Sequence, residues 1–86
     1  MPDIEKLIEK CLFTPEAITD IEDVEAIFQY FGYKYRTIGS HYVFHKANSN
    51  SVTIPTVKGR HVKRQYIRVA VRALELEVWY ERREER

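Results

Sequence analysis

The apolar positions of this 86-residue chain change period twice, from helical to alternating and back. In residues 3–12, Ile4, Leu7, Ile8 and Cys11 recur at helical spacing, with Glu5, Lys6, Glu9 and Lys10 outside. That predicts a short amphipathic helix, which is marginal alone and must dock on another surface. Thr14-Pro15-Glu16 has a capping hydroxyl followed by proline at the first helical position. Thr19-Asp20-Ile21-Glu22 has the form of a capping box, so a helix restarts there. Ile21, Val24, Ile27, Phe28 and Phe31 then make one apolar face, and Gly32 suits the left-handed position that ends it.

After Gly32 the period falls to two. Tyr33–Ile38 is aromatic and β-branched and predicts a strand, and Gly39-Ser40 a turn. His41–Ala47 predicts a second strand, with Tyr42 and Phe44 on one face and His41, Val43 and His45 on the other. Asn48-Ser49-Asn50 is a hairpin loop, and Ser51–Val57 a third strand in which Val52 and Ile54 face together. Pro55 lacks a ladder donor and belongs at an edge or strand end. Lys58-Gly59-Arg60 is a basic loop. From Val62 the helical period returns, and Tyr66, Ile67, Ala70, Val71, Leu74 and Val78 predict a buried stripe on one helix running to about Glu81.

The order is an extra N-terminal helix, then α-β-β-β-α. This is an α+β class, with a three-stranded antiparallel sheet covered on one face by helices. Tyr42 and Phe44 make the natural core pair, which turns His41 and His45 toward the open face. The length supports one core and one domain, residues 1–86. Within it residues 1–19 form a helical extension and 77–86 a helical, charged tail.

Composition adds three points. The hydrophobic share is 44 %, enough to bury a core, and six Tyr, four Phe and one Trp supply large pieces for it. Cys11 is the sole cysteine, which excludes an internal disulfide and a cysteine-based metal site; in its apolar stripe it reads as a small buried residue. No basic-then-apolar leader and no run of about 20 apolar residues is present, so no membrane partner is expected and a cytoplasmic location is.

The net charge of +1 conceals a strong split. Residues 1–31 carry eight acids and two bases. Residues 32–72 carry nine bases (Lys34, Arg36, Lys46, Lys58, Arg60, Lys63, Arg64, Arg68 and Arg72) and no acid. Such a block serves either as a footprint for a polyanion or as a counterweight to the acidic N-terminal third. Arg64, Arg68 and Arg72 follow one another at i, i+4 and i+8, about 6 Å apart along a helix axis. With Lys58, Arg60 and Lys63 they form either a phosphate rail or a solvated helix face.

Four segments, in order, resemble the HicA toxin family. Ile21–Gly32 looks like the family's first helix, ending in aromatic-Gly. Arg36-Thr37-Ile38-Gly39-Ser40-His41-Tyr42-Val43-Phe44 looks like its Gly-Ser-His strand opening. Val52-Thr53-Ile54-Pro55 is similar to its third strand, and Val62-Lys63-Arg64-Gln65-Tyr66-Ile67-Arg68 to the start of its last helix. The resemblance covers residues 20–76. It implies a double-stranded-RNA-binding-like fold of the α-β-β-β-α order reached above. It implies a metal-independent, cofactor-free endoribonuclease that cleaves mRNA, the mRNA interferase of a toxin–antitoxin system, silenced by a HicB-like antitoxin. Two departures stand out: about twenty residues precede the first family helix, and the tail past Leu76 is longer.

On this resemblance His41 is the catalytic residue. RNA is cut without a metal when a base takes the 2′-OH proton and the oxygen attacks the adjacent phosphorus. Imidazole titrates near neutral pH and can take or give that proton. Ser40 supplies a neighbouring donor, and Lys34, Arg36 and Lys46 are candidates to hold the charge that develops on the phosphate. Lys58, Arg60, Lys63, Arg64 and Arg68 are the candidate contacts to the rest of the RNA. His45 lies about 13 Å along the strand from His41, too far to share one phosphate, and is a nucleotide contact or a surface residue. His61 lacks a spaced metal-ligating partner. Tyr33, Tyr35 and Tyr42 either stack bases or belong to the core. The alternatives from other classes are a non-catalytic RNA-binding module of the same fold and a protein-interaction domain.

Overall fold

A computed structural model describes residues 3–84. Helix α1 spans Ile4–Phe13, α2 Ile21–Tyr30, α3 Arg64–Ala73 and α4 Leu76–Glu84; strands β1, β2 and β3 span Lys34–Ile38, His41–His45 and Val52–Pro55. The architecture is α+β, an open antiparallel sheet in the order β1-β2-β3 with four α-helices.

Each start and stop has a local cause. Asp3 caps α1, its carboxylate accepting from the Lys6 N–H at 3.2 Å. The Thr14 hydroxyl caps nothing, and Pro15–Ala17 forms only a 3₁₀ turn. The cap of α2 is Asp20, not Thr19: its carboxylate accepts from the Glu22 N–H at 2.9 Å. Thr19 is drawn aside because its carbonyl accepts from the Val62 N–H at 2.9 Å, pinning the approach to α3 beside the start of α2. At the other end of α2, Gly32 takes φ +88°. Its N–H bonds the Gln29 carbonyl and the Tyr33 N–H bonds the Phe28 carbonyl, both at 3.0 Å, the paired closure of a Schellman motif. The Phe28 and Tyr33 rings meet edge-to-face at 5.2 Å and complete it.

β1 starts one residue later than expected, β2 ends two residues earlier and β3 is shorter at both ends, but their faces alternate as the period predicts. Tyr42, Phe44, Val52 and Ile54 point toward α2 and α3. Phe44 stacks flat on Phe28 of α2, centroids 4.1 Å apart, and both are fully buried. Val24, Ile27, Ile67, Ala70 and Val62 close around them. Leu7, Ile8 and Cys11 join the same cluster, so the N-terminal extension is part of the core rather than an appendage. Both ends of α1 meet the last helix: Phe13 packs edge-to-face on Tyr80 at 5.5 Å, and Arg83 bonds Glu5 at 2.6 Å.

The single long C-terminal helix is corrected to two. Glu75 has φ +50°, and α3 ends at Ala73. The break turns Leu76 inward until it is fully buried, while Val78, expected in the stripe, is 41 % exposed. The apolar period through Val71, Leu74 and Val78 continues unbroken in the sequence; the packing of Leu76 interrupts it.

Candidate nucleic-acid interface

No helix among the described residues covers the other face of the sheet. Cross-strand register places its residues in rows. Ile38, His41 and Pro55 stand level at one end; Arg36, Val43 and Thr53 form the middle row; Lys34 and His45 form the far row. This face carries no carboxylate. Val43 is buried yet lies outside the core cluster. Arg36 and Thr53 flank it, and the aliphatic stem of an arginine is suited to shading such a neighbour.

His41 is exposed at the first position of β2, immediately after the Gly39-Ser40 turn. Gly39 has φ +60° at the first central position of a two-residue hairpin, which favours glycine. A Cβ there would meet nothing within 4 Å, so the backbone angle and not crowding demands glycine. The turn is held from the side by Thr56, whose N–H and Oγ1 both donate to the Ser40 carbonyl, at 2.8 and 2.7 Å. Thr56 is buried and sets the height of the turn against β3. The sequence marks it only as a hydroxyl residue following Pro55, and its role was not legible there.

The expected site residues divide into three groups. Arg36 is the diagonal neighbour of His41, about 7–8 Å away and within reach of its long side chain. Ser40 adjoins His41, and Lys58 lies in the loop that leaves the sheet just past Thr56. Lys34 shares the face but stands at its far end, opposite His45.

A second group is engaged elsewhere. Lys46 donates to the Phe31 carbonyl at 2.8 Å, with its ammonium 5.5 Å from the Tyr33 ring centre. It caps the C-terminus of α2, where a cation is favoured, and does not face the site. Arg60 bonds Asp20 at 2.8 Å and approaches Glu22 at 3.7 Å. The cap bond from Glu22 and this guanidinium hold the Asp20 carboxyl below its usual range.

The third group belongs to the helical layer. Arg64, Arg68 and Arg72 line a groove of about 520 Å³ between α3, the end of α1 and the 3₁₀ turn, with Glu16 and Glu77 in its wall. They do not share the face of His41. Lys63 precedes α3 and caps it without a side-chain bond. Among the described residues, Arg60 alone of the nine central bases pairs with a carboxylate of the N-terminal third.

Tyr33, Tyr35 and Tyr42 lie on the helix side of the sheet. Tyr35 and Tyr42 lean together at 5.4 Å, and the Glu25 carboxylate beside Tyr35 raises its hydroxyl pKa. His41 and His45 stand four residues apart on an unbulged strand, too far apart to share one phosphate-sized group. His61 bridges the backbone between Asp20 and Val57. Among the described residues no three His, Cys, Asp or Glu side chains converge on a metal-sized site, and no helix is long and apolar enough to cross a membrane.

No protein-family model, no curated protein and no solved structure matches the chain. The resemblance noted above rests on its four segments alone.

Proposed function

We propose that this protein is an RNA-cleaving toxin of the HicA kind, acting on mRNA in the cytoplasm and silenced by a HicB-like antitoxin. On this proposal its sheet and its α2 and α3 helices form a double-stranded-RNA-binding-like core. The observation that carries the proposal is His41, exposed on an uncovered, carboxylate-free sheet face with Arg36 diagonal to it. The imidazole takes the proton of a 2′-OH, the freed oxygen bonds the adjacent phosphorus, and the bond to the 5′-oxygen breaks. The leaving oxygen takes a proton from water or from the imidazolium, and a 2′,3′-cyclic phosphate remains. Arg36 faces the charge that builds on the phosphate oxygens.

The test is His41→Ala. Cleavage of RNA by the purified protein falls by about 10²- to 10⁴-fold, expression ceases to be toxic, and the circular dichroism spectrum is unchanged. Full cleavage in that variant removes His41 from the mechanism.

One observation favours a second reading, a non-catalytic RNA-binding module. The level neighbours of His41 are Ile38 and Pro55, neither of which transfers protons. Such a module shifts RNA on a gel with a steep salt dependence and leaves it intact.

A further inference from the structure

Ile38 is an anomaly of the open face. It is 59 % exposed, on an edge strand, at the level of His41. On the other side of His41 stands Pro55. The imidazole is therefore flanked across three strands by two apolar side chains, over a width of roughly 10 Å. The level is fixed: Thr56 holds the turn from the β3 side, and the Gly39-Ser40 hairpin leaves no slack in the β1-β2 register. One step down the sheet lies Arg36, and no acid occupies the face.

We propose that Ile38, with Pro55, is a shelf for one unstacked nucleobase, and that it selects single-stranded RNA at this face. The inference rests on the proposal that this face binds RNA, but not on cleavage. A duplex presents phosphates and sugars outward and leaves Ile38 uncovered; an extended strand brings a base within its reach. The division of labour then follows from position. Arg36 takes the phosphate, which every nucleotide carries, and Ile38 takes the base, which only an unpaired nucleotide can offer. His41, level with Ile38 and diagonal to Arg36, meets the ribose that joins the two.

The experiment separates base from backbone. Two eight-nucleotide probes are compared by fluorescence anisotropy: a 2′-O-methyl RNA of mixed sequence, which is not cleavable, and an abasic sugar-phosphate chain of equal length. Ile38→Ala weakens binding of the first by about five- to tenfold and leaves binding of the second unchanged. Ile38→Thr, which keeps the β-branched shape, gives the same pattern with a smaller loss. Arg36→Ala weakens both probes alike. Equal loss on both probes for Ile38→Ala, no preference of the wild type for the base-bearing probe, or no RNA binding at all overturns the shelf. Unmodified RNA is incubated in parallel. A base-dependent Ile38 effect without cleavage overturns the nuclease proposal and leaves the shelf standing.

Discussion

The two faces of one sheet are made from alternate residues of the same three strands, yet they are chemically opposite. The helix-side face holds Phe44, Tyr42, Val52 and Ile54 against Phe28 and Ile67 and carries the stability of the domain. The other holds Lys34, Arg36, Ile38, His41 and His45 and is left to solvent. A face outside the main core cluster is free to be cationic and to carry two imidazoles, His41 and His45. A change of one residue in register would exchange the two sets wholesale, so the hairpin that fixes register also decides which residues meet solvent.

The widest separation between the two sides should appear in chemical labelling. Burial pushes the Cys11 thiol up to about 12, with Asp23 adding to the shift. At pH 8 only about one thiol in ten thousand is then ionised. Iodoacetamide should leave Cys11 intact until the protein unfolds, whereas diethylpyrocarbonate should modify His41 in the native state; peptide mass spectrometry reads both. Native-state alkylation of Cys11 would mean that α1 detaches.

Paired substitutions come next. Phe44→Ala should cost about 3–5 kcal/mol in denaturant melts, since it removes the partner stacked on Phe28. His41→Ala, three residues earlier on the same strand, should stay within about 0.5 kcal/mol of wild type while losing cleavage. A large stability loss at His41 would erase the contrast between the faces.

Thr56→Val should cost about 1–2 kcal/mol by removing one of two bonds to the Ser40 carbonyl. Its effect on RNA cleavage should exceed its effect on RNA binding, because it loosens the turn that positions His41.

The smallest effect concerns Asp20. Its folded pKa is depressed, so its contribution is present above the ordinary carboxylate range, near pH 4, and is lost as pH falls through the lower folded value. Asp20→Ala should cost about 1 kcal/mol at pH 7 and less as the pH falls below the ordinary carboxylate range, by thermal melts across that range. Asp20→Asn, which keeps a cap but not the Arg60 pair, should cost less, because that pair is exposed.

What the sequence made legible was local. Gly32 announced the end of α2 because its left-handed angle is a property of one residue. Tyr42 and Phe44 against His41 and Val43 were separable because strand alternation needs no partner. What stayed hidden depended on distant groups. Arg60 and Lys46 looked like free cations until Asp20 and the Phe31 carbonyl, 40 and 15 residues away, were placed beside them. The arginine row is correct as a row, but its direction depends on how α3 rolls onto β3, and that roll turns it to α1 instead of to His41. The break before Leu76 lies among good helix formers and is imposed by the core.

The neighbouring placement of α1 and α4 has one more consequence. Phe13 against Tyr80 and Glu5 against Arg83 bring the first and last helices side by side. A short designed linker between them, with new ends opened in the exposed Asn48–Asn50 loop, would give a rearranged chain order that keeps the three-stranded register and the core cluster. In that permuted protein the histidine hairpin would stay internal and intact, so the placement of His41 would be independent of where the polypeptide starts.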